Sequence, residues 1–153
     1  MPLLATKPLK AYYTASGGGS GDDLLLKKTL VSAAQILAAN VTPVEIIPAP
    51  PAGKVNIPAQ IIIVLRYHGD AYAADHEWVL GYGDSLPYTE QNHLNTEPFD
   101  STVSGLSWTF PTDFFPDLSA VQGAPWSMSP TSAMLGGTST LEVWAYYRQI
   151  DAP

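Results

Sequence analysis

Between Tyr67 and Trp78 the sequence YHGDAYAADHEW gathers His68, Asp70, Asp75, His76 and Glu77. Imidazoles and carboxylates ligate zinc, manganese or calcium, and a histidine beside an acid can relay protons. The spacing, however, matches no helix-borne histidine pair, no calcium loop and no facial triad. Gly69 to Asp75 instead has the composition of a polar turn between two strands. If an ion were bound anywhere it would be here, but no metal and no cofactor is assigned.

A second stretch, PAPPAGKVN, carries the Gly53-Lys54 pair of a phosphate loop. Such a loop needs a glycine ahead of four free residues and a hydroxyl after the lysine, because its amides cradle phosphate and the hydroxyl holds magnesium. Here Pro48 and Val55 occupy those places, and the prolines in between remove amide donors. The segment reads as a corner joining two strands.

Hydrolase patterns are missing in the same way. No Gly-x-Ser-x-Gly occurs, Ser20 lies in a glycine run, and His93 lies in the polar segment TEQNHLNTEPF. Asp113 and Asp117 are a conceivable carboxylate pair, but acids on an acidic protein need no catalytic reason. With no residues converging on one chemistry, the chain is expected not to be an enzyme.

The elements that would hold any site follow from the totals and the pattern. The 153 residues fit one domain with an arm to spare, and the absence of cysteine leaves packing and assembly as the sources of stability. The longest apolar run, Ile61 to Leu65, is far short of a membrane span, and the first residues do not read as a secretion signal, so a soluble protein is expected. Charge is uneven: residues 1–28 carry Lys7, Lys10, Lys27 and Lys28 against Asp22 and Asp23, a balance of +2, whereas the remainder carries three cations against twelve acids, a balance of −9. An acidic body repels a phosphate backbone, so direct nucleic-acid binding is not expected.

Gly17 to Gly21 is a flexible hinge, and it divides an N-terminal arm (residues 1–23) from a body (residues 24–153). Leu3, Leu4, Leu9, Tyr12 and Tyr13, interleaved with Lys7 and Lys10, are too apolar for a solvated tail, so the arm is expected to dock on a surface. Ser32 caps a short helix over Ala33 to Ala39, which Asn40 and Pro43 terminate. From Val41 the text is β: VEII, VNIPAQIIIVLRY, HEWVLGYG, LSWTF and STLEVWAYYRQI, with prolines at connections and edges. Gly83 to Ala133 has mostly loop composition. The expected fold is all-β, a jelly-roll-like antiparallel sandwich with an extended arm and one short helix.

In the last strand Leu141, Val143, Ala145 and Tyr147 face one way and Glu142, Trp144, Tyr146 and Arg148 the other, so its second face is aromatic and meets another surface or lies half exposed. Trp108, Phe114, Phe115 and Trp126, in the proline-rich segment, join Trp144 and Tyr146 as candidates for an oligomer or loop interaction face. Exposed loop aromatics between Tyr82 and Trp126 would also suit stacking on sugar rings.

LVSAAQILAANVTPVEIIPAPPAGKVNIPAQIIIVLRY, LGYG and STLEVWAYYRQID together resemble small β-sandwich structural proteins of tailed bacteriophages. The likeness covers about Val31 to Gly83 and Thr138 to Asp151; the arm and residues 84–137 depart from it. The resemblance implies a virion component made in the host cytoplasm. In the first version it is a capsid decoration (cement) protein on the outer surface of the head, a homotrimer with the major capsid protein as its partner and no membrane. In the second it is a receptor- or glycan-binding domain of a head or tail fibre.

Overall fold

Ile61, Ile63 and Leu65 are buried while Ile62, Val64 and Arg66 alternate with them toward the outside, the period-two signature of a strand with one face on a core. The computed structural model describes residues 24–73, 77–84, 91–94, 99, 101–109 and 117–153, and for 91–94, 108 and 109 the backbone alone. Among these residues the elements run β1 (Leu25–Val31), α1 (Ala33–Ala38), β2 (Val44–Ile47), β3 (Lys54–Arg66), β4 (Trp78–Tyr82), β5 (Gln91–Leu94), β6 (Gly105–Thr109), β7 (Trp126–Pro130) and β8 (Thr140–Asp151).

The strands form two four-stranded sheets, ordered β1-β8-β3-β6 and β2-β7-β4-β5, and every pairing is antiparallel. Each sheet alternates early and late strands, so the chain crosses repeatedly between layers; this is the strand order of a jelly roll built from two Greek keys. The expected all-β sandwich is the observed fold.

The core lies between the layers. Ile61, Ile63 and Leu65 of β3 and Leu141, Val143 and Ala145 of β8 meet Trp78, Leu80 and Tyr82 of β4, Trp126 and Met128 of β7, and Val44, Ile46 and Ile47 of β2. Burying this many large side chains, each stabilising by about 1.5–3 kcal/mol, is what holds a cysteine-free chain together. α1 closes one end: Ser32 accepts from the Gln35 amide while the Gln35 side chain accepts from the Ser32 amide, and Ile36 is inserted into the core.

Three differences from the sequence reading stand out. Leu25–Val31 is a strand, although LLKKTLV shows no alternation, because it runs along the edge of its sheet with most of its length exposed. The stretch between Gly83 and Ala133, read as mostly loop, supplies β5 and β7 as well as the expected β6. In β7 both faces are buried, and Ser129 meets that burial by donating its hydroxyl to the Ala39 carbonyl.

A candidate interaction face

The GK corner is a turn in which the Lys54 amide is already spent. Lys54 N–H donates to the Pro51 carbonyl, Gly53 has φ 77°, and the Gly53 and Lys54 carbonyls accept from Ala152 and Gly123. Lys54 pairs with Asp151 across the sheet, so neither its amide nor its ammonium is poised for phosphate.

The histidine and acid cluster is also tied into a turn. Thr138 donates its amide to the Asp70 carbonyl and its hydroxyl to the His68 carbonyl, and the Asp70 amide donates back to the Thr138 hydroxyl. The His68 ring reaches Thr140 Oγ1 at 3.3 Å, and the Glu77 carbonyl accepts from Thr131. Asp75 and His76 lie outside the described residues, and among the described residues no three metal-ligating side chains converge.

What the fold does assemble is a surface on the outer side of the β1-β8-β3-β6 sheet. The register places Lys28, Trp144 and Ile62 in one row, Leu30, Glu142 and Val64 in the next, and Leu26, Tyr146 and Gln60 in a third. Leu106 of β6 extends the Val64 row, and Trp108 stands in β6 across from Ile62. Leu26, Leu30 and Leu106 are 50%, 68% and 55% exposed, well above what core-facing leucines show. Trp144 and Tyr146 are half-buried on this face, as their alternation with Leu141, Val143 and Ala145 requires.

Glu142 is the polar centre of the face. It pairs with Lys28 at 2.9 Å and with Arg66 at 3.7 Å, and accepts from Trp144 Nε1 at 2.6 Å. Lys28 also sits 4.9 Å from the centroid of the Trp144 ring. The hydrogen bond from Lys28, then that from Trp144, holds the Glu142 carboxyl below the usual carboxylate range. This network holds the indole between Lys28 and Glu142 and joins β1 to β8 and β3.

Trp126 requires a correction. It opens β7 inside the core, edge-on to Tyr82 at 6.2 Å between ring centroids, and offers no surface to a partner. Phe114, Phe115 and the arm residues Leu3, Leu4, Lys7, Leu9, Lys10, Tyr12 and Tyr13 lie outside the described residues, as do residues 1–23 altogether. The exposed leucines of β1 and β6 were missed in the sequence, since only the strand register reveals that they flank Trp144 and Tyr146.

No protein-family model and no curated protein matches this chain. Solved structures that resemble it include two viral shells. One is the capsid of Ralstonia phage GP4, at 12% identity and TM-score 0.43, covering 87% of this chain and 88% of that one. The other is the native virion of Kashmir bee virus at acidic pH, at 9% identity and TM-score 0.34, covering 100% of this chain and 84% of that one. The jelly-roll assignment stands on the strand order and register of this chain itself.

Proposed function

We propose that this chain is a virion structural protein, a capsid decoration protein that binds the outside of a phage head as a homotrimer and performs no chemistry. The observation that carries the reading is the jelly-roll strand order, an architecture used by viral shell domains, combined with an open apolar and aromatic sheet face. The resemblance of Val31 to Gly83 and Thr138 to Asp151 to tailed-phage structural proteins supports it from the sequence side. Lectins share the architecture, so the fold by itself does not choose the partner.

In this reading the protein works by cross-bridging. The body occupies one site on the shell, and the apolar arm, beyond the glycine hinge, spreads over a neighbouring subunit; the area buried opposes the outward pressure of packaged DNA without contact with that DNA.

Copy number per particle tests it, measured by quantitative electrophoresis of purified virions against the major capsid protein. A ratio near one to one is the expected result. A handful of copies per particle would overturn the decoration role and move the protein to a fibre or vertex, where binding of glycans becomes the next measurement.

A further inference from the structure

We propose that β1 is an exchangeable strand: the edge of β8 that it occupies accepts β1 of a second copy of this chain, and Glu142 is the latch that slows the exchange. The inference goes beyond the virion reading and does not depend on it.

β1 is weakly held for a strand of its length. Of its seven residues Val31 is buried, Thr29 is half-buried and the other five are exposed. Thr29 Oγ1 is buried without a hydrogen-bond partner, a desolvation cost that docking of the strand leaves uncompensated. Among the described residues the ladder of β1 runs to β8 alone, in register from Leu25 opposite Tyr147 to Val31 opposite Leu141. Segments that bury so little apolar surface open at free energies well below that of global unfolding.

A single residue joins β1 to the helix. Ser32, at φ −73° and ψ 160°, is extended backbone between Val31 and α1, and α1 is anchored separately by the buried Ile36. Rotation at this junction swings β1 away as a unit while the helix stays in the core. Short connections of this kind are where protomers trade identical elements. The ladder itself selects the occupant. β1 of another copy brings the same seven pairings to β8, the same Lys28 ammonium to Glu142 and the same cation to the Trp144 ring. An unrelated strand would leave Glu142 with Arg66 and Trp144 alone among these partners.

Disulfide trapping tests the exchange. Two full-length chains, one enlarged by a tag, carry Leu26→Cys and Tyr146→Cys respectively; the two positions face each other across the ladder and lie outside the latch. The chain has no cysteine of its own, so a bond between the tagged and untagged chains places β1 of one on β8 of the other. At high protein concentration and neutral pH we expect this mixed disulfide in clear excess over like-with-like bonds, and Glu142→Gln in the Tyr146→Cys chain should form it several-fold faster. Melting of each variant verifies the fold. Leu30→Cys with Glu142→Cys, the facing pair one step along, is the second probe and removes the latch at the same time. Mixed disulfides no more abundant than like-with-like ones, in both probes, would overturn the exchange. A rate unchanged by Glu142→Gln would overturn the latch. The readout follows the strand and not the mass, so a trimer that forms without the mixed disulfide sinks this inference and leaves the proposed function standing.

Discussion

The ring of Tyr72 lies against Gly137 so closely that a Cβ added at position 137 would fall within the van der Waals envelope of Cδ1, Cε1 and Cγ. Tyr72 is buried, donates its hydroxyl to the Ser139 carbonyl, and has its phenol pushed up to about 12 by burial. Gly137 also holds φ +84°. Gly137→Ala therefore combines overpacking with left-handed backbone strain and should destabilise by about 2–4 kcal/mol in urea unfolding. Gly136→Ala is the control: its φ is +67° but its nearest neighbour is the Ala71 carbonyl oxygen at 3.8 Å, so only the backbone cost of about 1–2 kcal/mol applies.

Trp78 and Phe99 stack at 4.2 Å between ring centroids and 5° between planes. Both are buried, and Phe99 comes from a connection rather than a strand. Phe99→Ala is expected to cost about 3–5 kcal/mol. Phe99→Leu keeps most of the apolar area and should lose mainly the stacking, about 1 kcal/mol. A Phe99→Leu protein as stable as the wild type would show that the stacking geometry contributes nothing measurable.

Asn56 joins the layers. Its side-chain amide donates to the Pro48 carbonyl, its Oδ1 accepts from Gln149, and its backbone carbonyl accepts from the Tyr82 hydroxyl of the opposite sheet. Asn56→Ala removes two side-chain bonds at a site 2% exposed and should cost about 1–3 kcal/mol. Tyr82→Phe removes one bond and should cost about 1 kcal/mol, read from the same denaturation curves.

Glu142 gives a pH dependence of known sign. Its carboxyl is held below the usual range in the folded protein, so its stabilising contribution is complete above about pH 4.3 and is lost as pH falls through the lowered value. Amide exchange along β1 should speed up over that acid range in the wild type. In Glu142→Gln the β1 amides should exchange faster already at neutral pH and change little on acidification; an acid response identical to the wild type would assign the effect to other groups.

What could be read from the sequence divides along physical lines. β3 and β8 were legible because each has one face on the core, which writes a period of two into Ile61 to Leu65 and Leu141 to Ala145. α1 was legible because Ser32 can cap an alanine-rich run that Asn40 and Pro43 end; the Gln35 half of the capping box came only with the structure. β1 was not, because an exposed edge imposes little alternation and leaves its leucines and lysines unsorted. β7 was hidden by serines that look like loop residues yet are buried and bonded, and Trp126, between Pro125 and Ser127, passed for a loop aromatic when the core had claimed it. Of the interaction face, Trp144 and Tyr146 could be read from one strand; Leu26, Leu30 and Leu106 became its neighbours only through pairings between residues distant in sequence.

The order β1-β8-β3-β6 sets a schedule for biosynthesis. Among the described residues β1 pairs in its sheet with β8 alone, so there Leu25 waits for Tyr147 and Val31 for Leu141. Until residues 140–151 have left the ribosome, β1 lacks its β8 partner and β3 lacks the neighbour along its whole length from Lys54 to Arg66. The sheet cannot grow outward from its first strand; it closes when its second central strand is inserted between two that are already made. Contacts of such sequence separation fold slowly, and two unpaired edges meanwhile stand open to chaperones and to other nascent chains.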